Sequence, residues 1–427
     1  MILSHMRRAQ LRRLAKTRAV RIALFLFCIL NFLDVLRIHH NIAYEHDHHH
    51  VARTAGRNRE RIYIASMHFN DAKIINRWSH ELLSLIDTLG PENVFVSIYE
   101  SGSWDNTKEH LHALDAQLEA KGVQRRVVVS DVTHKDEMSA SDKGEGWILT
   151  SRGKKELRRI PYLSRLRNKT IKDLVELYDK GITFDKVLFL NDVIFSVDDV
   201  LTLMNTNGGD YGAACSLDFS KPPQYYDTFA LRDSGGSPHL MQTWPYFRAQ
   251  SSRNALINNR DAVPVQSCWN GIGMYAFGYL IGAVELTGSL VVMPAEPFVS
   301  STKLRFRGVP DSLAKHHLEG SECCLIHADN PLSKTLGVYL NPRVRVGYNV
   351  EAYEAMHATS SWVSTWDIFL GLWVNRIKRW TTYSFDSWTA ESRIRKWKKE
   401  DGMNHEPGVY CLINEMQVLV ENGWAHV

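Results

Sequence analysis

The sequence predicts an α/β fold, a mainly parallel sheet flanked by helices, joined to an N-terminal membrane anchor. Three observations predict it. Val187, Leu188, Phe189 and Leu190 form a continuous apolar run that stops at Asn191 and Asp192, the pattern of a strand buried on both faces. Between Arg61 and Val129, short apolar runs alternate with segments of helical periodicity, as in βα repeats. Ile22–Leu36 is apolar apart from Asn31 and Asp34, and follows Arg7, Arg8, Arg12, Arg13, Lys16, Arg18 and Arg21.

The apolar segment is near the lower length limit for a span. No small-residue cleavage site follows it, so it reads as an uncleaved signal anchor rather than a cleaved signal peptide or a core helix. The basic cluster before it puts the N-terminus in the cytosol and the rest in the lumen. Residues 1–21 are then a basic cytosolic tail, 22–38 the transmembrane anchor and 39–60 a lumenal stem. His39–His50 holds six histidines with Glu45 and Asp47. It reads as a solvated, low-order linker, with a metal-binding tract as the alternative.

The body begins at Arg61–Ser66, a strand, followed by the loop His68–Asp71. A helix over Ile74–Leu89 stops at Gly90-Pro91. Val94–Tyr99 is the second strand and closes on Glu100–Asp105. Thr107–Lys121 is helical and Arg126–Val129 is the third strand. Ser130–Lys155 is polar and reads as a loop or mobile insertion. A helix follows from Arg165 through Tyr178. Arg158, Arg159, Arg165 and Arg167 can grip phosphates in bidentate fashion, or line a solvated helix face. After the central strand, Asp198 or Asp199 is placed to cap the next helix. Tyr211–Leu217 is a strand with Asp218 at its end.

Tyr225, Tyr226, Asp227 and Asp233 mix aromatic faces with carboxylates in one loop region, which suits sugar C–H faces and hydroxyls. Trp269, Asn270 and Gly271 allow close backbone approach to a ligand, or a bulge before the next strand. Glu319 and Glu322 precede the apolar run that ends on His327. After residue 350 the composition shifts, with seven of the twelve tryptophans there. Trp366–Trp380 reads as an amphipathic helix, packed on the body or lying on the membrane. Five cysteines would be lumenal, where disulfides persist; the odd number leaves one free or paired between chains. Asn168-Lys169-Thr170 is an N-glycosylation sequon.

A formal net charge of only +4 and the lack of a broad basic stripe exclude a general nucleic-acid binder. Asp192 ends a buried strand, where open α/β sheets bind ligands. It can hold a divalent metal on a nucleotide diphosphate, or serve as a plain polar strand end. His327 can complete that coordination, or be a core histidine.

FLNDVIFS, GDYGAACSLDF, PPQYYDTFALRD, VPVQSCWNGI, LRFRGVPDSLA, EGSECCLIHADNP and CLINEMQVLVENGWAH occur in that order. Together they resemble the fungal capsule-associated α-1,3-mannosyltransferases, glycosyltransferase family 69, from about Arg61 to Val427. The resemblance implies a single-pass type II protein of the Golgi or secretory path. It implies a GT-A-like catalytic domain over 61–350, with a Trp-rich extension over 351–427 packed on it. It also implies transfer of mannose from GDP-mannose to a mannose 3-hydroxyl of a glycan, with retention. The competing readings are a transferase for another nucleotide sugar, and an inactive lumenal carbohydrate-binding paralogue.

GT-A enzymes carry Asp-x-Asp for Mn²⁺ (or Mg²⁺); this chain has Asn191-Asp192-Val193. The resemblance leaves Asp192 and His327 as the metal ligands. Ser66, Asn70, Glu100, Arg167, Asn191, Asp192, Trp269, Asn270 and Gly271 are then the donor-binding residues. Glu319, Glu322 and Asp233 are the catalytic candidates, with no choice made between the two glutamates. No oligomeric state is implied.

Overall fold

The computed structural model describes residues 17–48, 60–141, 143–269, 290–358, 361–382, 385–421 and 423–427. Asn270 and Gly271 lie outside them, as do most of the cytosolic tail and the latter part of the stem.

The apolar runs become strands. β1 (Ile62–His68), β2 (Val94–Ser101) and β3 (Gln124–Ser130) open the chain, and β4 (Trp147–Leu149) and β5 (Lys155–Leu157) make a hairpin. β6 (Lys186–Leu190) is the central strand. β7 (Ala213–Lys221), β8 (Gln224–Tyr225), β9 (Arg232–Asp233), β10 (Val263–Ser267), β11 (Leu290–Pro294), β12 (Glu319–Gly320) and β13 (Val338–Gly347) follow. The main sheet runs β3-β2-β1-β6-β11-β7-β13-β10-β9, with β8 on β7. β1, β2, β3 and β6 are parallel. β11 lies antiparallel between β6 and β7, and β13 is parallel to β7. Two reversals around β11 cancel, so β6, β7 and β13 all point the same way and their carboxyl ends open on one edge. This is the mainly parallel, helix-flanked sheet that was expected.

β6 is buried along its whole length. Val187 and Phe189 join the core that holds Trp269 and Phe306, while Leu188 and Leu190 join the one that holds Trp78 and Leu82. Covered faces on both sides explain why the run is continuous rather than alternating. After β6 the chain crosses to the end of β13: Ile194 N–H donates to the Gly347 carbonyl at 2.7 Å and Gly347 N–H returns the bond at 3.1 Å. The helix Val197–Met204 then starts on a capping box. Ser196 is the N-cap and Asp199 reciprocates from the third helical position, so neither Asp198 nor Asp199 is the cap itself.

Four other expectations change. Ser130–Lys155 is not one loop but carries the helix His134–Met138 and most of the β4–β5 hairpin. The arginine-rich helix begins earlier, at Arg159, and breaks at Ile171. β7 continues to Lys221, so Asp218 lies within the strand. The N-terminal helix runs from Arg18 to His48, past the expected start of the stem. Val35, Ile38 and Ile42 explain this: spaced three and four apart, they form a stripe buried against the body. The same helix contains a 26-residue stretch, Arg18–Ala43, whose most apolar 18 residues have a mean hydropathy of 2.2, long and apolar enough to cross a bilayer.

The C-terminal region is sewn to the body. β12 pairs with β14 (Leu412–Ile413), and Cys324 is disulfide-bonded to Cys411. A second disulfide joins Cys215 to Cys268, leaving Cys28 exposed and Cys323 buried as thiols. Cys323 is thus the odd cysteine anticipated from the count. The sequon residue Asn168 both donates to and accepts from the Phe306 backbone, at 2.8 and 3.0 Å; the amide nitrogen a glycan would need is therefore engaged. Cys323 should stay unlabelled when the folded, unreduced chain is alkylated and should react only after denaturation. Intact-mass measurement before and after unfolding checks this.

Candidate functional site

The site is built where β6, β7 and β13 end together. Asn191 follows β6 and fastens it. Its side-chain oxygen accepts from Met67 N–H at 3.1 Å and its carbonyl accepts from the Trp78 indole at 2.9 Å. The residue that departs from Asp-x-Asp therefore has a positioning task that an amide performs well. Asp192 comes next and is buried.

Arg167 and Glu322 form the centre. Arg167 Nε donates to Glu322 Oε1 at 3.0 Å, and both side chains are about 3% exposed. The guanidinium lies 5.3 Å from the Trp269 ring centre and 5.8 Å from that of Phe306, within cation–π range. Burial works against the Arg167 charge, but Cys323, Glu322 and Asp192 more than restore it. Glu322 opens the helix Glu322–Asp329, and the Ser321 hydroxyl caps that helix by accepting from Cys323 N–H at 3.2 Å. A carboxylate in a first helical turn is favoured by the helix dipole.

A second group of polar residues adjoins Asp192. Asp227 N–H donates to Asp218 Oδ1 at 3.2 Å, and Phe229 N–H donates to Asp227 Oδ1 at 3.0 Å. Tyr348, just after β13, donates to Asp218, and its ring meets Tyr226 at 4.5 Å. Burial pushes Asp218 up to about 7 and Asp227 well above the usual carboxylate range. Tyr348 is raised by burial and by Asp218, Asp192 and Asp227, which places it among all three carboxylates. The sequence reading had Asp218 at a strand end and Tyr225–Asp227 in a sugar-suited loop. It missed Tyr348 and the convergence, because Tyr348 arrives from a strand far along the chain.

The expected rim residues serve their loops. Ser66 donates its hydroxyl to the Leu190 carbonyl at 2.5 Å and meets His68 Nε2 at 2.8 Å; His68 Nδ1 meets Asp71 at 2.8 Å. Burial lowers His68 to about 3 and raises Asp71. Burial thus favours the uncharged forms of both His68 and Asp71. Asn70, at φ 56°, accepts from Trp104 N–H at 2.8 Å and donates its own N–H to Ser103 at 2.9 Å. Glu100 accepts from the N–H groups of Ser103 and Ser130.

Two catalytic candidates are engaged in other networks. Glu319 lies 3.2 Å from Arg158 through both oxygens, and Arg158 also reaches Asp311 and the Val309 carbonyl. Glu319 is a buried structural partner, raised to about 7 because burial outweighs the pull of Arg158. Asp233 lies on β9, five strand positions from β6, or roughly 24 Å at the usual spacing. Its oxygens accept from the N–H groups of Gly235, Ser237 and Ala249, which gives it a turn-closing role.

The metal expectation is tested by the donor set. Asp192 offers a hard oxygen, as Mn²⁺ or Mg²⁺ requires. His327 Nε2 donates to the Cys268 carbonyl at 2.5 Å, which leaves a buried Nδ1 lone pair without a hydrogen-bond partner. Burial lowers its pKa to about 4, so it is neutral, as a ligand must be. Its metal-capable neighbours, however, are Cys215 and Cys268, which are joined in a disulfide. Among the described residues, no group of three or more such side chains contains Asp192. Asp192 therefore fits a cation shared with substrate phosphates, and His327 is not gathered with it into one cluster.

The family model described as Cryptococcal mannosyltransferase 1 matches residues 61–329. The chain belongs to this family. Its members' class of chemistry, glycosyl transfer, is accordingly that of this chain. No curated protein matched. Solved structures similar to the chain include mannosyltransferase PcManGT from Pyrobaculum calidifontis in complex with GDP-Man and Mn²⁺, at 11% identity and TM-score 0.33, covering 89% of this chain and 80% of that one. S. aureus TarS matches at 10% identity and TM-score 0.32, over 81% of this chain and 44% of its own. Overlaps this loose locate no residue of the site. The family match covers β1 through the Glu322–Asp329 helix, and so spans Asp192, Arg167, Asp218, Asp227 and Glu322; Tyr348 lies beyond it.

Two outcomes follow. Asp218 has an ordinary unfolded pKa of about 3.9 and a folded value of about 7. Between the two, the folded chain binds more protons, so this group's contribution to stability falls as pH rises through that window and is level above it. Asp218→Asn should flatten the slope of urea-unfolding stability between about pH 4 and 7. Glu319→Ala should cost about 3–5 kcal/mol, as for a buried ion pair broken on one side, measured by the same unfolding, and Glu322→Gln, which takes the counter-charge from buried Arg167, should lower both stability and turnover.

Proposed function

We propose that the chain transfers mannose from GDP-mannose to the 3-hydroxyl of a mannose on a glycan acceptor, with retention, aided by Mn²⁺ or Mg²⁺. We further propose that it works as a single-pass type II protein, its catalytic domain in the lumen of the Golgi or secretory path. Membership of a mannosyltransferase family supports the sugar. The observation that carries the site is Asp192, at the carboxyl end of β6, sharing its surroundings with the buried Arg167–Glu322 pair.

As the bond to the sugar breaks, negative charge builds on the departing diphosphate. Asp192 would hold the divalent cation, which neutralises that charge when bound. Arg167 is kept charged by its carboxylate neighbours and held in place by Glu322 and Trp269, so it offers a fixed positive field without reorganising. Ser66, Asn70 and Glu100 shape the loops at the ends of β1 and β2, where the nucleoside would lie. Trp104, 53% exposed beside them, offers a stacking face. Asp218, Asp227, Tyr226 and Tyr348 supply acceptor groups and ring faces for a sugar. With Glu322 bound to Arg167, its role is to position that charge. No side chain is assigned as a nucleophile, since leaving and attack on one face retain configuration without one.

The test is full-length protein in detergent, given GDP-mannose or other nucleotide sugars, with α-mannobiose as acceptor and with Mn²⁺ or EDTA. Metal-dependent GDP release with a new α-1,3-linked mannose is expected. Asp192→Ala should lower turnover about a hundredfold or more, the scale of losing a main electrostatic element, with the thermal melt unchanged. Wild-type turnover in that variant would remove Asp192 from the site.

A further inference from the structure

The helix Thr365–Thr381 has two apolar faces. One packs on the body: Ile368, Gly371 and Asn375 are buried, and Asn375 Nδ2 donates to the Phe247 carbonyl at 3.0 Å. A Cβ at Gly371 would collide with the Trp244 carbonyl, so the approach is close and the helix cannot roll about its axis. The opposite face carries Trp366, Phe369, Leu370, Trp373, Ile377 and Trp380. At 100° per residue these fall within about 100° of arc. Trp366 is 64% exposed, Ile377 52% and Trp380 72%. Because Gly371 fixes the orientation, this stripe has nowhere to turn but outward.

We infer that this stripe is a membrane-docking surface: the Thr365–Thr381 helix lies against the bilayer beside the N-terminal anchor. The proposal rests on the reading of Arg18–Ala43 as a membrane segment. Continuity between the two surfaces identifies the occupant. The Thr365–Thr381 helix packs against the N-terminal helix, with the Trp373 ring 5.7 Å from that of Phe27. Phe27 lies within the apolar run of the anchor, whose flanking residues Leu26 and Leu30 are 52% and 65% exposed. The stripe therefore extends the surface that the anchor presents to lipid and does not form a separate patch. Its composition agrees. Its rings are large apolar faces suited to acyl chains. Arg376 stacks over Trp373 at 4.4 Å, with its long stem on the apolar face as interfacial arginines lie. Together the anchor and the stripe fix the body's orientation on the membrane, which one helix alone would leave free to swivel.

The test places nitroxide labels on the full-length chain in phosphatidylcholine vesicles, in a Cys28→Ser background. Ile377→Cys and Trp380→Cys sit on the stripe, Leu30→Cys on the anchor, and Met403→Cys at a position 87% exposed. Collision with oxygen reports lipid and collision with a nickel chelate reports water. Both stripe labels should prefer oxygen several-fold over the Met403 label, as Leu30 does. Stripe labels that prefer nickel while Leu30 prefers oxygen overturn this proposal and leave the anchor standing. A Leu30 label that prefers nickel overturns both. Stripe labels shielded from both reagents mean that protein covers the face, which also overturns the proposal. Each labelled position is exposed, so no buried contact is lost, and the two stripe positions check one another.

Discussion

The buried Arg167–Glu322 pair is the contact on which the rest of the site depends. Taking two such charges out of water costs several kcal/mol for each ion, and only good geometry offsets it. Here the offset comes from a 3.0 Å hydrogen bond, the faces of Trp269 and Phe306, and the nearby charge of Asp192. The pair also joins distant parts of the chain. Arg167 belongs to the helix Arg159–Thr170, which packs on β1 and β2; Glu322 opens the helix that the Cys324–Cys411 disulfide ties to the C-terminal region. Without either partner, the other is left as an uncompensated charge at the meeting point of two halves.

That meeting point is rich in acid. Asp192 and Glu322 lie near Arg167, Asp227 feels Asp218 and Glu322, and Arg159 is close enough to feel Glu322 and Asp227. The cluster relieves its excess of negative charge in the way open to buried carboxylates. Asp218 and Asp227 are pushed toward their protonated forms, while Asp192 keeps the company of Arg167. Under the proposed function, Asp192 near Arg167 faces the cation and diphosphate, and Asp218 and Asp227, pushed toward neutrality by burial, are hydrogen-bonding groups for the sugar.

Most of the framework was legible because it depends on local pattern. β1, β2, β3 and β6, the helices after β1 and β2, and the Thr365–Thr381 helix announce themselves by runs and periodicity, and Gly90, at φ 87°, marks a helix end where one was placed. What escaped depends on contacts between remote residues. Nothing near Glu319 distinguishes it from Glu322; Arg158 does, from the other side of the chain. Asp233 looked like part of a sugar loop until β9 took it to the far edge of the sheet. Tyr348 joined Asp218 only through the pairing of β7 with β13. The helix runs on into the expected stem for a related reason. The stem's histidines read as solvated, yet Ile42, like Ile38 just before it, meets a body surface that no local window contains.

The membrane side and the sugar side of the molecule are not independent. Leu370, Gly371 and Val374 of the Thr365–Thr381 helix share the walls of a largely apolar cavity of about 190 Å³ with Trp244, Trp362 and Pro223. Pro223 begins the short segment that reaches Tyr225, Tyr226 and Asp227. A helix held in one orientation by Gly371 on one face and by lipid on the other would therefore also hold one wall of this cavity, beside the start of the segment that carries Tyr226 and Asp227. Close packing transmits such constraints, because a filled interior has few intermediate arrangements to adopt. The bilayer would then do more than retain the protein: it would help to fix the packing of the body around Pro223, next to the segment that carries Tyr226 and Asp227.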